Sequence, residues 1–262
     1  MLANNNEAII NKLAKNSVKT NKKQYAILFF TIILSAFMLF CVFTIGMTYL
    51  NSSRLQNTRL NGAEYDIVTM NGFTSEQLNT LQQNENIRSV GIESYAGFIQ
   101  STEYDKTVEI GLLWCDEVFW DNLMSPARTK LDGHYPQNKN ELMVTKDILK
   151  TCGNENLSVG DSLILTYENN TGVYTDEFVI SGIWDGYGDT SAGFVSKAFY
   201  DETGYDLKNN GILCIKLNCN YVFPTTIQSI EKSLDFSDRQ IFAPTGYIEN
   251  SFKLLLGICG LA

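Results

Sequence analysis

A single histidine, His134, stands in the turn-like segment LDGHYP. Histidine-based zinc sites and Ser/His or Cys/His catalysis would all have to rest on it. A lone histidine in a polar turn is ordinarily a solvated side chain. No GxxxxGK[ST] occurs, so the chain has no means of holding ATP in the P-loop manner. DGYGD, with Asp185 and Asp189, has the look of a calcium loop but lacks the ligand spacing and the closing glutamate of an EF-hand. It reads as a turn. Asn51, Asn156 and Asn169 head N-x-[ST] triplets, a pattern short enough to arise by chance. With 29 acidic residues in the chain, paired carboxylates carry no information by themselves. The residue types and spacings therefore nominate no catalytic, cofactor-binding or metal-binding residue, and the chain is not expected to be an enzyme or to need a cofactor.

The six cysteines do not form a disulfide scaffold. Cys41 falls in an apolar run and Cys259 in the apolar tail. Cys115, Cys152, Cys214 and Cys219 remain, and the spacing does not select partners for a bridge among them.

The elements that would position any site begin with charge. Lys12, Lys15, Lys19, Lys22 and Lys23 precede residue 25 against one acid, Glu7; no charged residue occurs from Tyr25 to Leu50. The formal net charge of −9 is thus a basic segment joined to a strongly acidic domain. Such a domain repels phosphates, which excludes nucleic acid as a partner. Residues 25–50 would span roughly 39 Å as a helix, against about 30 Å of bilayer hydrocarbon. This is a transmembrane helix that can tilt or project beyond the lipid, with Tyr25 and Tyr49 near its ends. It is too long for a signal-peptide core and no A-x-A site follows. The preceding lysines put the N-terminus in the cytoplasm. Ile9, Ile10, Leu13 and Val18 recur at helical spacing, so the basic segment, 1–24, reads as an amphipathic helix on the inner membrane surface.

Beyond the span, NSSRLQNTRLNG reads as a polar connector. YDIVTM, a helix capped by Thr74 with Gln77 as capping-box partner, and IRSVGIESYAGFIQ then give β-α-β over 65–100. GILCIKL, PTTIQSIEKSLDF and RQIFAP repeat that order over 206–245, with Pro224 at the helix start. Between them TVEIGLLWC, ELMVTK, DSLILTYE and DEFVISGIW are strands separated by turn signals. The expected fold class is α+β: a transmembrane helix, then a domain over 51–250 made of two βαβ units (65–100 and 206–245) with a β-rich insert, 101–205. The two units should pair into one layer near the membrane, and the insert should stand apart as a second lobe. The apolar end SFKLLLGICGLA, 251–262, reads as the start of a second transmembrane helix.

This layout resembles the N-terminal half of an FtsX-like ABC transporter permease with a MacB-like extracytoplasmic domain. The resemblance rests on the ordered set rather than on one motif: LAKNSVKTNKKQYAILFFTIILSAFMLF, then GHYPQNKNELMVTKDILKTCGNENLSVGDSLIL, then FVISGIWDG and GFVSKAFYDETG. The residues concerned in the central passage are Gly133, Pro136, Glu141, Val159, Gly160 and Asp161. The resemblance implies a multi-pass cell-membrane protein working with a cytoplasmic ABC ATPase as a permease homodimer or heterodimer. The ATPase would drive export or mechanotransmission of peptide, lipoprotein or envelope substrates, with an extracellular peptide or envelope protein as a further partner. It implies a porter-like part built from two β-α-β units and carries over no catalytic residue. A membrane-anchored sensor or receptor domain without an ATPase is the alternative, and an anchored cell-wall enzyme a more distant one.

The lysine asymmetry yields a direct test of topology. A cysteine introduced at Asn169 should react with a membrane-impermeant maleimide on intact cells. Reaction only after lysis would reverse the orientation.

Overall fold

The computed structural model describes residues 6–100, 110–187, 192–218 and 224–245. The chain divides into two units. The first contains helix α1 (Asn6–Thr20) and helix α2 (Lys22–Asn61) as far as Asn51. At Asn21, between them, backbone hydrogen bonds persist: Asn21 N–H donates to Ser17 and Tyr25 N–H to Asn21. The apolar side chains of α2 from Ile27 to Phe40 are exposed, and the helix is long and apolar enough to cross a membrane. Two of its hydroxyls bond within the helix: Thr31 donates back to the Ile27 carbonyl and Thr44 to that of Phe40. Residues 51–61, read from sequence as a connector, are instead the last turns of α2. Glutamine, leucine and arginine within SSRLQNTRLN are adequate helix formers, and no glycine interrupts them until Gly62 at φ 71°.

The second unit starts at Ser52. Its strands are β1 (Ile67–Met70), β2 (Ile87–Ile99), β3 (Ile110–Cys115), β4 (Arg128–Gly133), β5 (Glu141–Thr145), β6 (Ser162–Asn169), β7 (Gly172–Gly186), β8 (Ala192–Val195), β9 (Ile212–Leu217) and β10 (Ile241–Pro244). Its longer helices are α3 (Ser75–Gln82) and α7 (Pro224–Lys232); α4 (Lys146–Thr151), α5 (Lys197–Tyr200) and α6 (Leu207–Asn210) are single turns. The architecture is α+β, with strand order β10-β1-β9-β2-β3-β8-β5-β7-β4.

The first four strands in that order form an antiparallel layer in which β1 lies between β10 and β9, and β9 beside β2. This is the arrangement of a βαββαβ, ferredoxin-like layer. Helices α3 and α7 cover one face, burying Ile67, Leu81, Val90, Ile215, Ile227 and Ile230. The capping box read from sequence is formed: Thr74 Oγ1 accepts from Gln77 N–H and Gln77 Oε1 from Thr74 N–H. Gln77 also donates to the Asp235 carbonyl, tying one βαβ unit to the other.

The β-rich segment does not stand apart as a second lobe. Strand β6 pairs with both β7 and the far end of β2, so β2, β3, β8, β5, β7 and β6 close into a ring. The ring encloses Leu112, Leu142, Val144, Leu163, Phe178 and Ile180. β2 belongs to both parts: residues 87–93 pair with β9 and residues 93–99 with β3. A register shift between Tyr95 and Gly97 bends the strand where it enters the ring. LDGHYP, read as a turn, supplies the end of β4 before it turns. The proposed second span, 251–262, and Cys219, Asp189 and Cys259 lie outside the described residues.

Replacing Thr74 with Ala should lower the unfolding free energy by about 1 kcal/mol, the usual worth of an N-cap. Denaturant titration of the full chain in detergent measures it, and an unchanged midpoint would show that α3 does not depend on its cap.

Candidate functional site

Three charged residues lie on or beside the central strands: Asp66 just before β1, Glu93 in β2 and Lys216 in β9; Asp66 and Lys216 are buried and Glu93 is half-buried. A charge withdrawn from water must find a partner or change its protonation.

Lys216 finds partners. It lies on β9, where both faces are covered, and its side chain is 7% exposed. Its Nζ is 3.1 Å from Asp66 Oδ2 and 3.2 Å from Glu64 Oε1. Arg54, in the last turns of α2, reaches the same Glu64 oxygen at 3.1 Å. Asp66 also accepts from Leu217 N–H at 2.8 Å, and its own N–H donates to the Ile215 carbonyl. Glu64 N–H donates to the Leu123 carbonyl. Arg54, Glu64, Lys216 and Asp66 thus form a chain of charges from the end of α2 to the central strands of the layer. Beside it, the Arg59 guanidinium lies 4.0 Å from the ring centroid of Tyr187, at the end of β7. The final turns of α2 therefore touch both the layer and the ring of strands.

Among the described residues Glu93 has no ion-pair partner. It is the residue of β2 at which the pairing with β9 and the pairing with β3 overlap, opposite Ile212 and Cys115. Burial pushes its pKa up from 4.5 to about 7. Around it runs a third core cluster, spread across both parts of the sheet and containing Cys214, Cys115, Phe119, Leu123, Trp120 and Phe194. A π-helical turn, Val118–Leu123, covers this cluster. Burial raises the pKa of the Cys115, Cys214, Tyr65 and Tyr135 side chains, so all four stay neutral. Tyr135 pins its loop by accepting from Cys115 N–H at 3.0 Å and reaching the Cys115 and Val195 carbonyls, each at 3.2 Å.

Cys115, Cys152 and Cys214 are free thiols. Cys115 faces Glu93, and Cys214 faces Gly91 across the other edge of β2. Two strand spacings, roughly 9–10 Å, separate their backbones, too far for a disulfide.

The residues carrying the sequence resemblance shape turns. Gly133 has φ 87°, and a Cβ there would stand 2.2 Å from the Ser181 carbonyl oxygen. Glu141 Oε2 accepts from the N–H groups of Gln137 and Asn138, and its Oε1 from Asn138 Nδ2. Against a burial effect of opposite sign, these bonds hold its pKa below the usual range. Gly160 has φ 95°, and Asp161 accepts from Ser158 N–H. Pro136 is buried and Val159 exposed. His134 is exposed and donates through Nδ1 to the Tyr135 carbonyl.

Two cavities accompany these features. A cleft of about 540 Å³ beside β4 is lined by both signs of charge, including Lys130, Lys146, Asp132 and Glu155. A groove of about 710 Å³ runs past Trp114, Trp120 and Tyr135. Lys197 already covers the Trp114 ring at 5.1 Å and pairs with Asp201. Among the described residues no group of three or more His, Cys, Asp or Glu side chains is placed to hold a metal ion.

Three solved structures are similar to this chain. One is the periplasmic region of MacB from Actinobacillus actinomycetemcomitans, at 14% identity and TM-score 0.48, covering 74% of this chain and 95% of that one. Another is the extracellular domain of the noncanonic ABC-type transporter YknZ from Gram-positive bacteria, at 12% identity and TM-score 0.44, covering 68% and 98%. A third is a domain assigned to a permease protein from Porphyromonas gingivalis, at 10% identity and TM-score 0.41, covering 71% and 95%. No family model and no curated protein matches the chain.

Sequence reading passed over Arg54, Glu64, Asp66, Lys216 and Glu93. Of these only Glu93 and Lys216 lie in strands, where a charge among apolar residues was the available signal; Arg54, Glu64 and Asp66 lie outside the strands and left none. Removing Lys216 would leave Asp66 buried without its counter-ion. Lys216→Met should cost about 3–5 kcal/mol of stability, measured by denaturant unfolding. Adding Asp66→Asn and Glu64→Gln should restore much of it. A loss below about 1 kcal/mol would show that the carboxylates are solvated.

Proposed function

We propose that this chain belongs to the membrane subunit of an ABC transporter, an FtsX-like permease. Its extracytoplasmic domain transmits motion driven by a separate cytoplasmic ATPase. The work done is export, or mechanical activation, of a peptide, lipoprotein or envelope substrate. The N-terminus is cytoplasmic, α2 crosses the membrane, and ATP is hydrolysed by the partner subunit rather than by this chain.

One observation carries the reading. α2 runs without a break from an uncharged apolar stretch to Asn61, and its last turns are joined to the sheet by the Arg54–Glu64–Lys216–Asp66 chain. A stiff helix ending in a multi-point ionic joint transmits tilt or axial movement, whereas a flexible connector would absorb it. Alongside it stand the ordered sequence passage from Gly133 to Asp161 and the paired βαβ units. The absence of any P-loop in the sequence accords with an ATPase supplied in trans.

Isolation of the full-length protein from native membranes in nanodiscs provides the test. An ABC-type ATPase should co-purify. Arg54→Gln, which frees the helix end without uncovering a buried charge, should leave ATP hydrolysis in place and reduce the substrate movement it drives. Isolation without an ATPase, together with binding of an extracytoplasmic ligand, would point to a membrane-anchored sensor instead.

A further inference from the structure

We infer that the free edge of β4 is a docking surface for a second copy of this chain. Two β4 strands pair antiparallel about a twofold axis, with Leu131 opposite Leu131 and each Lys130 opposite Asp132 of the other copy. The inference concerns the second unit and holds whether or not the chain belongs to a permease.

Three observations carry it. Strand β4 closes one end of the strand order, and among the described residues it pairs with β7 alone. Its other edge presents a row of backbone N–H and C=O groups to which a further strand can add. Residues 129–133 are all exposed, and Leu131 shows 43% of its surface. Lys130 and Asp132, on the opposite face of the strand from Leu131, make no ion pair among the described residues.

Charge on an edge strand ordinarily prevents such pairing, because like charges meet when two edges approach. β4 carries both signs, and their order decides what the edge accepts. A twofold axis normal to the sheet keeps every side chain on its own face, so the register must centre on a residue. Centred on Thr129, it sets Arg128 against Lys130; centred on Lys130 or Asp132, it sets that residue against itself. Centred on Leu131, it sets Lys130 against Asp132 twice, with no like charges facing, and covers Leu131 with its own copy. The β7 neighbours fit the same register. Lys130 lies opposite Asp185 and Asp132 opposite Ile183. Asp132 therefore faces an apolar residue within its own chain and gains a cation from the second copy. Along the pairing direction the charges then alternate: Asp185, Lys130, Asp132 of the second copy.

The contact is small. Pairing two strands of 6 residues buries well under the roughly 1,000 Å² of a stable interface. It needs the high local concentration that chains held in one membrane have.

The full chain in liposomes, at several copies per vesicle, allows the experiment. Leu131→Cys should cross-link to a second copy through a short bismaleimide, well above the level of the parent chain. Lys130→Asp added to Leu131→Cys should lower that yield about tenfold, since both facing pairs become like-charged. Asp132→Lys should do the same. One variant then carries two acids on this edge and the other two bases, so mixing them, differently tagged, should restore cross-linking between unlike chains only. Unchanged thermal unfolding would show that these exposed substitutions leave the fold in place. Absence of cross-linking at position 131, a yield indifferent to charge reversal, or a mixture that fails to restore it would overturn the inference. Cross-linking of Leu131→Cys in native membranes to a different protein, in place of a second copy, would also overturn it.

Discussion

Strand β2 has to satisfy two sheets with one backbone, and most of the second unit follows from that. Its first half donates and accepts along β9, its second half along β3 and β6. A strand has two edges, so a residue paired on both cannot slip register without breaking both ladders. The register shift after Tyr95 then turns the strand into the ring. The layer and the ring are consequently parts of one sheet rather than lobes joined by a hinge. The cluster on the shared face, from Cys214 on β9 to Trp184 on β7, welds them with buried apolar surface.

That continuity gives meaning to the two unusual charge arrangements. Near the end of α2, Lys216 is neutralised by two carboxylates and the guanidinium of Arg54 adds a third link. Each such contact would be weak on a surface. Here the central pair is buried, so losing one partner costs far more than the pair contributes net. At the seam no cation among the described residues pairs with the half-buried Glu93, and desolvation raises its pKa. The first arrangement ties the last turns of α2, through Glu64, to β9, a strand hydrogen-bonded on both edges.

The passage that carries the family resemblance has a different role. Gly133 admits the Ser181 carbonyl, Glu141 and Asp161 cap their own turns, and Gly160 adopts a positive φ. These residues determine how strands β4 to β7 are connected. They give a fold its recognisable sequence through turn geometry, which is why the resemblance speaks to architecture and leaves the substrate open.

The amino-acid sequence by itself determined whatever is encoded by neighbours along the chain. The uncharged run from Tyr25 to Leu50, the Thr74–Gln77 capping box, Pro224 opening α7 and the two βαβ orders are all local patterns of hydropathy and hydrogen-bonding capacity. Tertiary structure decided the rest. Whether the insert stood apart and which charges were buried depended on segments distant in sequence. Lys216 meets Asp66 across 150 residues, and Phe98 pairs with Glu168. Strand pairing is made by generic backbone groups, which leave no mark on residue type. An ionic partner is likewise chosen by where the folded chain places it, and so the joint and the seam became visible only once the sheet was assembled.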